Sequence, residues 1–221
     1  FAGEENRCGL HGGAILSRYP LSDPAVIRLP EKGDWFDGRR GERRVGGRIA
    51  VVARADIAGI STVLASLHLE SHGNPDTRAE EMAHIARALD TYAEGAPIVL
   101  GGDLNTNTTN RDVPDWQDQR REIADSDPGR LASPKPFEPL FQFMASEGYD
   151  CESCNAPGTT QRTRPDGTPA PPFAKIDWLF CRGLTASEPT IHPALSRDGS
   201  HAISDHEAVS AFFQPRSSAF T

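Results

Sequence analysis

The chain has 221 residues, 37% of them hydrophobic, with 20 glycines and 18 prolines; this supports one packed, loop-rich layered domain and excludes a disordered chain. A formal net charge of −8 argues against a tight, sequence-blind grip on duplex nucleic acid, which needs many cationic contacts to phosphates, and it suits a cation site. No stretch approaches the ~20 consecutive apolar residues of a membrane-spanning helix, no signal peptide is visible, and nothing separates a cytoplasmic from a secreted bacterial-type location.

In chain order, Gly13-Ala14-Ile15-Leu16-Ser17 reads as a buried strand closed by a turn at Arg18-Tyr19-Pro20. Residues 48–55 and 60–69 are apolar runs separated by Asp56 to Gly59, which predicts a β-hairpin. The period then changes. Met82, Ile85, Ala86 and Leu89 recur at helical spacing within 76–94, with Asp76 or Thr77 as the N-cap and Gly95 and Pro97 as the stop. Ile98-Val99-Leu100 is a short buried strand running into Gly101-Gly102-Asp103-Leu104-Asn105. Residues 106–136 are polar and irregular, with one helix near 115–124. A helix over 137–147 places Phe137, Leu140, Phe141 and Met144 on one face. Residues 155–173 read as an exposed loop, 176–180 as a strand, and 207–213 as the last strand. Strands with helices inserted between them predict two sheets packed face to face, with helices on their outer faces.

Of the four cysteines, Cys151 and Cys154 form a CxxC pair, which fits a metal half-site, a redox pair or a local disulfide. A zinc site needs two more ligands and no second CxxC exists, so the preferred reading is structural. Polar residues recur where strands end: His68, then Asp103 and Asn105, then Asp177, then Asp205 and His206. Alone, each has a plain explanation as a turn residue, helix cap or packed side chain. Together they mark one convergent polar pocket, because a polar group set against a core is costly unless paired. Ser17 and Ser204 lack the surroundings of a nucleophile elbow, and Gly101-Gly102 is too short for a phosphate loop.

Gly13-Ala-Ile-Leu-Ser-Arg-Tyr-Pro20, Ser66-Leu-His-Leu-Glu-Ser71, Gly101-Gly-Asp-Leu-Asn105, Lys175-Ile-Asp-Trp-Leu-Phe180 and Ser204-Asp-His206 resemble, in order, successive motifs of the endonuclease/exonuclease/phosphatase superfamily. The resemblance spans residues 13 to 213. It implies an α/β (α+β) four-layered sandwich, with two mixed β-sheets face to face and helices outside, as a single domain over 1–221. It implies a phosphodiesterase or phosphatase that uses water as nucleophile and Mg²⁺ or Mn²⁺ as cofactor. Its substrate would be a nucleic acid, a phospholipid head group or a small phosphate compound. By the same resemblance, Asp103 aligns or deprotonates the water and Asn105 holds the phosphate and fixes Asp103. His206 donates to the phosphoryl oxygens with Asp177 orienting its ring, Asp205 lies at the metal, and His68 contacts the phosphate from the other side. A cation held by carboxylates offsets the charge that builds in the transition state, and an imidazole beside a carboxylate stays cationic more readily.

The family pattern begins with an Asn-bearing strand and a Gln-Glu strand whose Glu is the main metal ligand. Only 12 residues precede Gly13 here, and neither Glu4 nor Glu5 is assigned that role. The expectation is therefore a family member that lacks its N-terminal strands, whose exposed sheet edges invite pairing with another chain. Two other readings stand beside hydrolysis: a non-catalytic protein-binding module, and a zinc or redox role for Cys151 and Cys154. Gln161-Arg-Thr-Arg164 is either a phosphate-binding rim or a solvated loop.

Overall fold

A computed structural model describes residues 12–30, 35–37, 42–44, 48–71, 73–109, 113–162 and 172–216. Cys8, Glu4, Glu5, Thr163 and Arg164 lie outside these. In chain order the elements are β1 (Leu21–Arg28), β2 (Trp35–Asp37), β3 (Glu42–Arg44), β4 (Ile49–Ile57), β5 (Ile60–His68), α1 (Pro75–Ala93), β6 (Ile98–Asp103), α2 (Trp116–Ser126), α3 (Pro128–Ala132), α4 (Pro139–Ser146), β7 (Gln161–Arg162), β8 (Pro172–Ala174), β9 (Asp177–Arg182), β10 (Leu184–His192) and β11 (Ala208–Pro215).

β4 and β5 form the expected hairpin, whose turn closes through Asp56 Oδ1 accepting from Gly59 N at 2.8 Å. α1 then carries the chain back, so β6 lies parallel to β5. β9 adds antiparallel to β6, and β1 antiparallel to β4, giving a mixed sheet of order β1-β4-β5-β6-β9. Alternation along the strands sends Val52, Ala65, Leu67, Leu100, Trp178 and Phe180 to one face, where α1 and α4 pack through Met82, Ile85, Leu89, Leu140 and Met144. The other face carries Val99, Leu179 and Cys181, against which the β10–β11 hairpin lays Leu184, Ala186 and Phe213. The result is an α+β sandwich with helices outside the larger sheet.

Several local expectations need correction. The N-cap of α1 is Asn74, not Asp76 or Thr77. Its side chain accepts from Thr77 N at 2.8 Å, and Pro75 takes the first helical position, where a missing N–H costs nothing. Phe137 falls in a separate 3₁₀ turn (Lys135–Phe137), because Pro139 starts α4 afresh. Residues 13–17 form no strand. Gly13 lies over Val51 and Ser66 on the β10–β11 side of the sheet, and Leu16 is 96% exposed. A strand needs ladder partners, and these residues have none among the described residues. Thr106–Thr109 are buried rather than loop-like, and Thr160 and Arg162 are buried within the stretch read as an exposed loop.

β1 and β10 were not anticipated as strands. Each contains a proline, a register shift and a residue at positive φ, namely Asp23 (51°) and Glu188 (52°). Such bulged strands belong at sheet edges and carry no clean alternation. Cys154 approaches Cys181, Sγ to Sγ 3.6 Å, rather than Cys151. The thiols of Cys151, Cys154 and Cys181 are free, and burial pushes Cys151 up to about 12. A CxxC redox or zinc pair therefore has no geometric support. No described helix is long and apolar enough to cross a membrane.

Candidate active site

Sheet register places three of the expected groups in one row. His68, the last residue of β5, is the ladder partner of Asp103, the last of β6. Asp103 in turn partners Asp177, the first residue of β9. The two glycines before Asp103 make this row possible. Gly102 has φ 151°, and a Cβ there would stand 1.9 Å from Leu67 O. At Gly101 a Cβ would meet Trp178 O at 2.9 Å and Leu179 Cδ2 at 2.5 Å. Side chains at these two positions would force β6 off its neighbours.

His68 Nε2 lies 3.3 Å from Asp103 Oδ2. Asn105 donates its backbone N–H to Asp103 Oδ1 at 2.8 Å, from a left-handed conformation (φ 49°) that asparagine tolerates. Its side-chain Nδ2 donates to Leu69 O at 3.0 Å, so one of its two amide hydrogens is already committed inside the protein. The Asp103 carboxyl is raised to about 7, by burial first and by facing Asp177 second, against the downward pull of His206, the Asn105 N–H and Arg48.

His206 completes the cluster from the segment before β11. Its Nδ1–H donates to the Asp177 carboxylate at 3.0 Å and 3.1 Å. Burial lowers the imidazole, but the Asp177 hydrogen bond and charge, with Asp103 and Asp205 behind them, outweigh it and lift His206 to about 9. The ring is therefore cationic at neutral pH and held with Nδ1 toward Asp177, which leaves Nε2–H as its other donor. Asp205 is exposed, and its carbonyl accepts from Arg162 N at 2.8 Å.

Three supports, Thr160, Glu207 and Arg48, were not singled out from sequence, and Arg162 was expected only as part of a rim or a solvated loop. Thr160 Oγ1 accepts from the backbone of Ile176 (3.1 Å) and Asp177 (3.2 Å). Thr160 O accepts from Glu207 N at 2.7 Å, which joins the Asp177 strand to the His206 segment. Arg162 pairs with Glu207 in a buried ion pair, and Glu207 also accepts from Ala194 N. Arg162 is thus neither a rim nor a solvated residue. Arg48 Nε donates to Glu70 Oε2 at 3.4 Å beside His68. The signal for these was a threonine, an arginine and a glutamate within predicted loop or strand ends, and nothing local distinguishes such residues from surface ones.

Among the described residues no three His, Cys, Asp or Glu side chains gather as a metal cage. Mg²⁺ asks for less, since one or two carboxylates plus several waters suffice. The hard oxygen donors here fit that cation better than zinc, with Asp205 exposed beside the cluster.

The model of the Endonuclease/Exonuclease/phosphatase family matches residues 3–206. No curated protein matches the chain in sequence. Among solved structures, it is similar to an endonuclease/exonuclease/phosphatase from Beutenbergia cavernae DSM 12333, with 20% identity and a TM-score of 0.55, covering 90% of this chain and 46% of that one. An endonuclease/exonuclease/phosphatase family protein from Bacteroides thetaiotaomicron shares 15% identity with a TM-score of 0.56, covering 88% and 65%. TDP2 of D. rerio, complexed with a single-strand DNA product, shares 18% identity with a TM-score of 0.52, covering 89% and 69%. These identities show a common fold, and the chain spans 46% and 65% of the first two proteins' lengths.

Proposed function

The chain belongs to the endonuclease/exonuclease/phosphatase family, whose enzymes hydrolyse phosphoesters and generally use divalent metals, and from that membership we propose that it is an Mg²⁺- or Mn²⁺-dependent phosphoester hydrolase with water as nucleophile. One observation carries the reading. A protonated imidazole held by Asp177 and a half-buried carboxyl poised at about 7 belong to one cluster at the ends of adjacent strands. Both groups are raised from their ordinary values, which sets a carboxyl near neutrality beside an imidazolium, and perturbed titratable groups gathered in one place mark a functional site.

In this reading Asp103 accepts a proton from the attacking water, or orients it, once its carboxyl is ionised. Its basicity near neutral pH suits that task. His206 donates from Nε2–H to a phosphoryl oxygen, and its fixed positive charge favours the more anionic transition state. Asp177 keeps the ring oriented and protonated. His68 binds the phosphate from the opposite side of Asp103. Asn105 fixes the Asp103 oxygen through its backbone N–H, with one amide hydrogen left for a phosphate oxygen. A divalent cation, held by Asp205, would neutralise charge on the phosphoryl and leaving oxygens. The chain's substrate is a nucleic acid, a phospholipid head group or a small phosphate compound.

The test is turnover of an aryl phosphodiester and an aryl phosphomonoester by the purified chain, with and without Mg²⁺ or Mn²⁺, beside Asp103→Asn. Metal-dependent turnover that falls by roughly 10²–10⁴-fold in the variant is the expected result. Equal rates in the two proteins, or turnover indifferent to chelator, would sink the proposal.

A further inference from the structure

Five consecutive polar residues follow the Asp103 strand end, and all are buried: Asn105, Thr106, Asn107, Thr108 and Thr109. A buried backbone segment of this kind must find partners for its polar groups. Two of its residues sit at positive φ, Asn105 at 49° and Thr108 at 59°. Asparagine tolerates that region. A β-branched threonine does not, and persists there only when its surroundings hold it.

The surroundings include an ion pair with no exposure at either side chain, Arg78 of α1 and Glu138 before α4. Arg78 donates to Glu138 through Nε (3.0 Å) and Nη2 (2.6 Å). Each partner also takes one backbone group from a loop of the site. Glu138 Oε1 accepts from Thr108 N at 2.9 Å, in the segment after Asp103. Arg78 Nη1 donates to Gly73 O at 2.7 Å, in the segment after His68. The same two segments are joined nearer the site, where Leu69 N donates to Asp103 O at 2.9 Å and Asn105 Nδ2 donates to Leu69 O. Arg130 closes the outside, donating to Thr108 Oγ1 (3.0 Å) and Thr108 O (2.9 Å).

A fully buried ion pair is a poor way to gain stability, because desolvating two charges offsets their attraction and apolar side chains of similar volume often serve as well. What this pair does that apolar residues cannot is bond to the backbone of both loops. We propose that Arg78 and Glu138 are positioning residues, a buried bridge that sets the spacing between the His68 strand end and the Asp103–Asn105 segment. The catalytic consequence rests on the hydrolase reading above, whereas the structural claim does not.

The test uses the double variant Arg78→Met/Glu138→Leu, which keeps volume and leaves no unpaired charge. Amide hydrogen exchange is read at Leu69 and Asn105, with Val63 and Leu100 of β5 and β6 as references, and kcat and KM are read on the aryl phosphodiester. Positioning predicts exchange at least tenfold faster at Leu69 and Asn105 with the reference amides unchanged, and kcat down at least tenfold at nearly constant KM. Wild-type protection at Leu69 and Asn105 in the folded variant, or an equal rise at all four amides, overturns the proposal. Should the double variant not fold, the same amides are read in Arg78→Lys, which keeps a charge opposite Glu138 but lacks the guanidinium fork that joins Glu138 to Gly73 O. If the wild-type chain turns over no phosphoester, the exchange pattern still decides the structural claim, and the failure then belongs to the hydrolase reading alone.

Discussion

His68, Asp103 and Asp177 stand on three hydrogen-bonded strands, whereas Asp205 and His206 stand on a segment between β10 and β11 whose ladder contact with β7 is the isolated Gln161–His206 bridge. In the first region the backbone ladder sets the spacing, and the two glycines let the strands close up. In the second, side chains set it: Thr160 beneath Asp177, and the Arg162–Glu207 ion pair behind His206. The same edge of the candidate site is thus held by register on one side and by buried polar contacts on the other. Substitutions should therefore act differently on the two sides.

The largest effect falls on the ladder. Gly102→Ala puts a Cβ on top of Leu67 O, a backbone atom that cannot step aside. It should destabilise by more than about 4 kcal/mol, read as a loss of the urea transition or a chain that does not fold. Gly101→Ala should cost less, because its closest neighbour is the end of the Leu179 side chain, although Trp178 O is also tight. Similar midpoints for the two variants would mean that close strand approach does not govern this side.

The other side should break more selectively. Arg162→Met strands the Glu207 carboxylate in the interior, which costs about 3–5 kcal/mol. The reporter is the His206 imidazole, followed by NMR titration. With its segment loosened from Asp177, its midpoint should fall from about 9 toward the ordinary 6.5, while the amides of β5 and β6 keep their protection. A His206 midpoint still near 9 in the folded variant would show that the ion pair does not hold this segment.

This division also explains what could be read in advance. The strands that carry the row announce themselves, because β5, β6 and β9 are apolar runs that end at His68, Asp103 and, at the start of β9, Asp177. The edge strands β1 and β10 were hidden by Pro24, Pro189 and their bulges. The residues of the candidate site were legible as polar groups at strand ends, whereas the part their props play was not. Thr160, Arg162 and Glu207 do their work through partners distant in sequence, and local pattern cannot separate a buried arginine from a solvated one. Gly13–Ser17 misled for the complementary reason. An apolar run states that burial is wanted, but the ladder partner that makes it a strand must come from elsewhere in the chain.

The smallest expected effect is also the sharpest test of the charge balance in the row. Asp103 is raised to about 7 from an unfolded value of 3.8. A raised carboxyl makes the folded state hold its proton longer than the unfolded chain does. Wild-type stability therefore falls as pH climbs from about 4 to about 7, and the penalty persists above that. Asp103→Asn keeps the shape and an oxygen for the Asn105 N–H without the charge, so it escapes the penalty. In chelator, the variant should melt close to wild type at pH 4.5 and about 4 °C higher at pH 8, even as it loses turnover. Comparing the two proteins at each pH cancels every other titrating group that the substitution leaves alone. A gap of equal size at both pH values would mean that Asp103 ionises as an ordinary carboxylate. The row would then owe nothing to the closeness of Asp177 and the depth of the strand end, and the difference between the two sides of the site would reduce to geometry alone.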